Sequence, residues 1–187
     1  MSAHLPRTGK ILDLGCGHGF FSLIVAASRP SCCVLGIDHD ESRVELARQS
    51  SRRFNNVEFR SGDLRDGSGI EPKSFSGISI IDTLHYFSSQ DQESILNQSY
   101  RALDGGGVCL VREVDRRAGL RSGWNRIYET LATHLKFTKT DSKVCHYRSP
   151  NEWGELLSAI GYSVTWKRCS NIAFSDVLFV ATKAVTQ

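Results

Sequence analysis

The stretch Ile11-Leu12-Asp13-Leu14-Gly15-Cys16-Gly17-His18-Gly19-Phe20 decides the fold of this chain. Its first four residues are apolar except for Asp13 and are typical of a short buried strand, and an apolar helical run begins at Phe20. The three alternate glycines between them can adopt positive φ and carry no Cβ, so a ligand can lie against the backbone where the helix starts. The sequence therefore predicts a strand, a tight glycine turn and a helix that together hold a nucleotide-like molecule.

The spacing of the glycines excludes the dinucleotide fingerprint G-x-G-x-x-G. A fingerprint that starts at Gly15 needs glycine where Phe20 stands, and one that starts at Gly17 needs glycine where Ser22 stands. The pattern present is D-x-G-x-G-x-G, which closely resembles the first motif of the class I S-adenosylmethionine-dependent methyltransferases. Other Rossmann-like binders also use glycine turns, so the rest of the chain has to decide.

The length of the chain indicates a single domain over residues 1–187, because 187 residues suffice for one sizeable core and are too few for two full domains. Its 23 Lys and Arg against 20 Asp and Glu give a net charge of +3, which neither demands nor excludes nucleic acid. We expect no membrane span and no signal peptide, because no apolar run is long enough and the first residues lack an apolar core. A cytoplasmic protein is therefore expected.

The six cysteines form no C-x-x-C pair and no Cys/His cluster at zinc spacing. Several of them occupy strand or glycine-loop positions that suit small apolar residues. We therefore predict reduced thiols, no disulfide framework and no metal site.

Two acidic residues follow predicted strands in the order in which this family places its cofactor ligands. Asp38 ends the second strand (32–37), where Rossmann-like folds place the carboxylate that accepts the ribose hydroxyls. After the third strand (57–60), the resemblance implies that Asp63 accepts the adenine amino group and that the Leu64 N–H meets the ring. The alternatives are a helix cap for Asp38 and a turn residue for Asp63. The cofactor-binding residues implied in all are Asp13, Gly15, Cys16, Gly17, Gly19, Asp38, His39, Asp63, Leu64 and Asp82.

The segment Asp82-Thr83-Leu84-His85 at the end of the predicted fourth strand resembles the D-x-L-H segment of many methyltransferases of small molecules. It differs from the [DN]-P-P-[YF] motif that grips a planar amide, which counts against adenine-N6 and glutamine substrates. Because ligands bind at the carboxyl ends of strands, we expect Asp82, His85 and Tyr86 to face the reaction site. His85 is a candidate general base, since imidazole exchanges a proton near neutral pH; alternatively, it bonds to the backbone and only shapes the pocket.

Glu113 follows the fifth strand (108–111) at the same edge and is the second catalytic candidate. The run L-D-G-G-G-V-C-L-V that leads to it resembles the turn and strand L-x-P-G-G-x-L of the family. Glu113 could receive a substrate proton or hold a hydroxyl, or it could pair with nearby arginines such as Arg112.

Residues 116–149 exceed a normal connection, so we predict that they form a cap over the acceptor substrate. Near the end of this segment, His146 and Arg148 are candidates for holding an acidic group on the acceptor. Tyr86 is the third candidate for contact with the substrate. For Arg148, a surface arginine before a proline turn is the commoner outcome.

A late pair of strands (162–166 and 177–182) resembles the closing antiparallel hairpin of the family. The expected fold is therefore α/β and doubly wound, with a mostly parallel seven-stranded sheet, an antiparallel last strand and helices on both faces.

The resemblance implies a methyltransferase that uses S-adenosylmethionine, leaves S-adenosylhomocysteine and needs no metal. The expected partner is a small organic acceptor, with O-methylation favoured. An RNA methyltransferase is the alternative enzyme, because arginines stand at 112, 116, 117, 121 and 126. A third possibility is a non-catalytic cofactor-binding subunit of a methyltransferase complex, because only a short segment precedes the first strand. The motifs name neither the acceptor nor the oligomeric state.

Overall fold

A computed structural model of the chain describes residues 1–67, 70–115, 145–169 and 176–185. The strands are β1 (Gly9–Leu14), β2 (Cys32–Asp38), β3 (Val57–Ser61), β4 (Phe75–Ile81), β5 (Leu103–Val114), β6 (Tyr162–Arg168) and β7 (Asp176–Lys183). The helices are α1 (Phe20–Ser28), α2 (Glu41–Ser50), α3 (Ser89–Ala102) and α4 (Pro150–Ile160), with short 3-10 helices at Ser2–His4 and Leu84–Tyr86. None of these described helices is long and apolar enough to cross a membrane. Most of the predicted cap, residues 116–144, lies outside the described residues.

The seven strands form one sheet in the order β3-β2-β1-β4-β5-β7-β6. Strands β1 to β5 are parallel wherever they pair, and β7 runs antiparallel to both β5 and β6. This arrangement confirms the predicted doubly wound α/β fold with an antiparallel last strand. The chain moves outward from β1 through β2 to β3 and then returns to β4 on the other side of β1. Open α/β sheets bind ligands outside the carboxyl ends of their strands at such a reversal.

Helices cover both faces of the sheet, because successive strand residues point to opposite faces. On one face, Leu12 belongs to the larger core cluster with Ile95 of α3 and Trp153 of α4. On the other face, Ile11 belongs to a second cluster with Val25 of α1. The strand that carries the glycine turn is thus buried on both sides, which holds the turn in a fixed position.

Helix α4 begins at the capping box that its sequence predicts. The Ser149 hydroxyl accepts the Glu152 N–H at 3.3 Å, and the Glu152 carboxylate accepts the Ser149 N–H at 2.6 Å. Pro150 stands in the first turn, and Gly161 ends the helix at φ 115°. These contacts fix the point at which the segment 145–149 joins the core.

Two element boundaries differ from the sequence prediction. Helix α2 ends at Ser50, although its sequence predicts a helix from residue 41 to residue 54. Residues 51–53 form a turn instead, in which the Phe54 N–H bonds to the Ser51 carbonyl at 2.7 Å. Strand β5 begins at Leu103, although the Asp-Gly-Gly-Gly run predicts a turn. That run remains in the strand through an irregular register opposite Phe75 and Gly77.

Candidate active site

A cleft of about 410 Å³ opens at the carboxyl ends of strands β1, β2 and β4. Nine predicted site residues line it: Gly15, Gly17, Asp38, His39, Asp63, Leu64, Asp82, Tyr86 and His146. The remaining six predicted residues are not among the described residues that line the cleft: Asp13, Cys16, Gly19, His85, Glu113 and Arg148. The cleft therefore brings together nine of the predicted residues at one end of the sheet, and the other six lie outside its lining.

The three glycines of the first turn serve two different purposes, although all have positive φ. A Cβ on Gly15 would overlap the Thr83 side chain, and a Cβ on Gly19 would lie 2.5 Å from the Phe59 ring. A Cβ on Gly17 would meet nothing within 4 Å, because this residue borders the cleft. Gly15 and Gly19 thus permit close packing inside the protein, and Gly17 keeps backbone exposed to a ligand.

Asp38, at the end of β2, presents its carboxylate to the cleft while it holds the glycine turn. Its Oδ2 accepts the Gly17 N–H at 2.8 Å, and its Oδ1 accepts the Asp40 N–H at 3.0 Å. His39 Nδ1 lies 3.4 Å from Oδ1. The cap of α2 is the neighbouring Asp40, whose side chain accepts from Ser42 N and Arg43 N. The alternative in which Asp38 merely caps this helix is therefore wrong.

Asp63 lies in the loop after β3 and is bound by a guanidinium. Arg65 donates to it through Nε at 2.9 Å and through Nη2 at 2.5 Å, and the Arg65 backbone N–H also bonds to Oδ1. These hydrogen bonds lower the pKa of the Asp63 carboxyl, which is therefore ionised at neutral pH. Leu64 is buried beside it and lines the same end of the cleft.

Asp82 follows β4 in a left-handed conformation, with φ 52°, which is uncommon for a residue other than glycine. Arg112 of β5 pairs with its carboxylate and donates to Oδ1 through Nε at 3.0 Å. The Asp82 N–H bonds to the Arg112 carbonyl at 2.9 Å, so both backbone and side chain tie this turn to β5. The pair presents a fixed carboxylate to the cleft.

His85 and Glu113 form a buried pair. His85 is 6% exposed, and its Nδ1 lies 2.7 Å from Glu113 Oε2. Oε1 of the same carboxylate accepts the N–H groups of Thr83 at 3.1 Å and Leu84 at 2.7 Å. Because an ionised carboxylate is an acceptor only, the ring proton is assigned to Nδ1. Glu113 thus receives three hydrogen bonds from the turn after β4.

The predicted alternative for Glu113, a pairing with Arg112, is not what the structure shows. Adjacent strand residues point to opposite faces of the sheet, so the two side chains diverge. Arg112 pairs with Asp82 and Glu113 with His85. Farther along, the buried Asp115 carboxylate lies 3.2 Å from an Arg168 guanidinium nitrogen.

Asp13 lies beneath the glycine turn and is 2% exposed. Its Oδ2 accepts the Ser22 hydroxyl at 2.6 Å, and its Oδ1 accepts the Ser79 hydroxyl at 2.7 Å. Burial raises the pKa of this carboxyl to about 6 despite those hydrogen bonds. Asp13 therefore joins β1, α1 and β4 from below the turn.

Cys16 is the turn residue between the first two glycines. Burial raises the pKa of its thiol well above the ordinary range, so it is no nucleophile at neutral pH. It packs against the small cluster formed by Val44, Ala47 and Phe59.

Arg148 is engaged by the protein itself. Its guanidinium donates to Gln92 Oε1 at 2.7 Å and to the Ser89 carbonyl at 3.3 Å. It also lies 5.5 Å from the Trp153 ring centroid. His146, in contrast, reaches the cleft wall.

Sequence reasoning missed several residues of the cleft and its supports. Arg43, Phe87 and Asp91 line the cleft without a motif that marks them, and Thr83 lines it from the variable position of the D-x-L-H segment. Ser88 also lines the cleft, and its hydroxyl caps α3 by accepting the Asp91 N–H at 3.2 Å. Among the described residues, no group of three or more His, Cys, Asp or Glu side chains could hold a metal ion.

Comparisons with known proteins agree with this geometry. A family model described as "Methyltransferase domain" matches residues 7–161. A release factor glutamine methyltransferase from Aliivibrio fischeri is 41% identical over 73 residues, which are 38% of this chain and 24% of that protein. A carboxy-S-adenosyl-L-methionine synthase from Actinobacillus succinogenes is 28% identical over 109 residues, which are 56% of this chain and 44% of that protein. The chain thus spans less than half the length of these curated relatives.

A SAM-dependent methyltransferase from Methanosarcina mazei, known from its crystal structure, has the same fold. Its TM-score is 0.75 at 18% identity, with 98% of this chain and 96% of that chain covered. The family model covers most of this chain, and the sheet order and glycine turn agree with it. The chain therefore belongs to the methyltransferase-domain family, within the class I S-adenosylmethionine-dependent methyltransferases.

Proposed function

We propose that this chain binds S-adenosylmethionine in the cleft and transfers its methyl group to a small organic acceptor, with oxygen as the favoured acceptor atom. The observation that carries the proposal is Asp38, whose carboxylate lines the cleft beside the open backbone of Gly17. Each of its oxygens accepts one backbone N–H. A carboxylate oxygen has a second acceptor site, so the pair matches the two adjacent hydroxyls of a ribose.

The adenine end of the ligand is assigned to Asp63 and Leu64. Both line the cleft, and the Asp63 carboxylate is held in place by Arg65. An amino group that donates to Asp63 has to share it with that guanidinium, which a carboxylate with two oxygens allows. The buried Leu64 side chain supports an apolar ring surface at the same point.

The methionine end is assigned to the turn from Gly15 to Gly17 and to Asp82. Asp13 supports this turn through Ser22 and Ser79, so its proposed role is to position the backbone. Gly19 and Cys16 likewise support the turn by packing against the core.

Bound S-adenosylmethionine supplies an electrophilic methyl group on a sulfonium, so the chain has to hold an acceptor in line with it. Proximity and alignment account for most of the rate in such a reaction. Tyr86, Asp82 and His146 line the cleft and are the proposed acceptor wall. His85 and Glu113 act behind this wall, where their hydrogen bonds fix the turn that carries Tyr86. We assign them a positioning role in place of direct proton transfer.

The same turn favours a small acceptor over a glutamine amide or the exocyclic amino group of adenine. The N–H groups of Thr83 and Leu84 point to the buried Glu113, and no proline follows Asp82. Protein glutamine remains the second candidate, because a partial relative with 41% identity is a glutamine methyltransferase. For the RNA alternative, four of the five arginines cited in its favour lie outside the described residues, and Arg112 pairs with Asp82.

Calorimetric titration with S-adenosylhomocysteine tests the proposal. We expect Asp38→Ala to weaken binding about 10- to 100-fold, as expected for the loss of two hydrogen bonds to a charged group. The matched control is Asp40→Ala, which removes the cap of α2 and costs about 1 kcal/mol of stability while affinity stays near that of the wild type. Equal affinity in wild type and Asp38→Ala would remove the ribose assignment.

The acceptor class is tested with methyl-labelled S-adenosylmethionine and a panel of phenols, carboxylic acids, a glutamine-containing peptide and RNA. Mass spectrometry of each product identifies the methylated atom. Label on an oxygen of a small molecule is the expected result, and label on the peptide or RNA alone would overturn the small-acceptor proposal.

A further inference from the structure

Gln92 of α3 is a buried amide at the rear of the cleft wall. It is 0% exposed, and its side-chain nitrogen donates to three carbonyls: Leu84 at 3.1 Å, Phe87 at 3.2 Å and His146 at 2.8 Å. An amide has two N–H donors, so two of these carbonyls share one proton. The first two carbonyls belong to the turn after β4, and the third belongs to a segment far along the chain.

The oxygen of the same amide binds that distant segment a second time. Gln92 Oε1 accepts from Arg148 Nε at 2.7 Å. Arg148 in turn bonds to the Ser89 carbonyl at the start of α3 and lies over the Trp153 ring. Both ends of the Gln92 amide are therefore engaged, and residues 146 and 148 are fixed to α3 by one side chain.

We call residues 145–149 the strap. It has no regular secondary structure and runs into the capped start of α4. Its His146 N–H bonds to the His85 carbonyl at 2.8 Å, and its Tyr147 ring stacks on the His85 ring with centroids 5.4 Å apart. His146 lines the cleft, so the position of the strap determines the shape of the wall on that side.

A buried amide at this point needs an explanation beyond packing. An apolar side chain of similar volume fills the same space without the free energy of desolvating a polar group. It would, however, leave the Phe87 and His146 carbonyls without this donor, although the Leu84 carbonyl keeps the Phe87 N–H at 2.9 Å. A buried carbonyl that loses its donor costs more than a satisfied one contributes. The Gln92 amide therefore connects the turn after β4 to the strap through hydrogen bonds that an apolar side chain cannot make.

We propose that Gln92 is a positioning residue that holds the strap, and with it His146, against the cofactor cleft. The inference rests on the proposed function, because it takes the cleft to be the S-adenosylmethionine site. With the strap held, a nucleoside ligand in the cleft is enclosed on the His146 side, and its escape requires the strap to move. Loosening the strap therefore raises the dissociation rate of the ligand and leaves its association rate nearly unchanged.

Two variants separate the halves of this contact. Gln92→Met keeps the volume and removes both donor and acceptor. Arg148→Met leaves the Gln92 amide in place and removes the guanidinium that binds Gln92, the Ser89 carbonyl and the Trp153 ring. The matched control is Ser99→Ala, because Ser99 is a fully buried polar residue of α3 whose hydroxyl bonds to Ile95 within the helix. Arg148→Met keeps the test valid if Gln92→Met fails to fold.

Hydrogen exchange without ligand reports directly on the strap. We expect the peptide that contains His146 to exchange about tenfold faster in both variants than in the wild type, as expected when a local opening becomes easier. Ser99→Ala should leave this rate unchanged. Wild-type exchange in both variants would overturn the contact itself, whether or not the chain binds any ligand.

Stopped-flow measurement with S-adenosylhomocysteine then tests the effect on the cleft. We expect the dissociation rate to rise about tenfold in Gln92→Met and Arg148→Met, with association rates within about twofold of wild type. A role in stability alone would lower the melting temperature and leave the dissociation rate unchanged, and that result would overturn the inference. Failure of the wild type to bind S-adenosylhomocysteine would instead overturn the proposed function, which separates the two outcomes.

Discussion

At the scale of single residues, the glycine turn separates ligand contact from packing. Gly17 and Gly19 both have positive φ, but a Cβ on Gly17 meets open space and a Cβ on Gly19 meets the Phe59 ring and Ala47. We predict that Gly17→Ala costs only about 1 kcal/mol of stability, from the left-handed conformation. It should weaken S-adenosylhomocysteine binding at least about tenfold, because the new methyl group enters the cleft.

Gly19→Ala should show the opposite balance. The new methyl group would overlap a buried ring, and the alanine would also have to keep positive φ. We therefore expect a loss of at least about 3 kcal/mol of stability. Urea unfolding and calorimetry of the two variants measure both effects. Equal stability losses would show that the ring of Phe59 gives way easily and would contradict the packing role.

Asp13 makes the stability of the folded chain fall as pH rises, which is the opposite of the usual effect of a carboxyl group. Its carboxyl pKa is raised from 3.8 to about 6 in the folded state, so folding disfavours the ionised form. The wild type therefore loses stability from this group as pH rises from about 4 to about 6. Asp13→Asn lacks this loss. We therefore predict that the free energy of unfolding of the variant, relative to that of the wild type, increases by on the order of 3 kcal/mol between pH 4 and pH 7.

Urea unfolding at several pH values measures this shift, and Asp40→Asn is the control of opposite sign. Hydrogen bonds from Ser42 lower the pKa of the Asp40 carboxyl, so its contribution is present at neutral pH and lost on acidification. Relative to wild type, Asp40→Asn should lose stability as pH rises. A pH-independent difference for Asp13→Asn would show that its carboxyl titrates normally in the folded protein.

At the scale of elements, the turn after β4 depends on one carboxylate from β5. Glu113 accepts from Thr83, Leu84 and His85, and it is 1% exposed. Gln at this position places an N–H₂ group against at least one of those donors. We predict a loss of about 2 to 4 kcal/mol for Glu113→Gln, as expected when a buried charged network is broken.

Urea unfolding measures that loss, with Glu93→Gln on the exposed side of α3 as the control expected within about 0.5 kcal/mol of wild type. A similarly small effect for Glu113→Gln would mean that the turn is held by other contacts. It would also reopen a direct catalytic role for Glu113.

The elements themselves follow closely from local sequence patterns. The apolar run of β1, the glycine turn and the Ser149 capping box all act over a few residues, so their positions are predictable. The errors occur at element ends, as at α2, where residues 51–53 form a turn in place of further helix. The site is predictable to the same extent: Asp38 ends a strand beside the turn, whereas Gln92 contacts residues that only the folded chain brings near.

At the scale of the whole molecule, the proposed binding site is inseparable from the sheet. The cleft takes Gly17 from the turn after β1, Asp38 from β2, Asp63 from the loop after β3 and Asp82 from the turn after β4. These elements are hydrogen-bonded neighbours in one sheet. A ligand that contacts all of them binds the folded chain and not the unfolded chain, so its binding free energy adds to global stability.

Thermal unfolding therefore gives the broadest test of the cleft. S-adenosylhomocysteine at about 100 times its Kd should add about 2.7 kcal/mol to stability. For a domain of this size, we predict a rise in Tm of roughly 5 to 11 °C, and a further increase at higher concentration. The control is NAD⁺ at the same concentration, which should leave Tm unchanged because Phe20 and Ser22 occupy the positions where a dinucleotide fingerprint needs glycine. An equal shift with NAD⁺ would show that the turn from Gly15 to Gly19 accepts a pyrophosphate after all, and the assignment of Asp38 to a single nucleoside would then have to be abandoned.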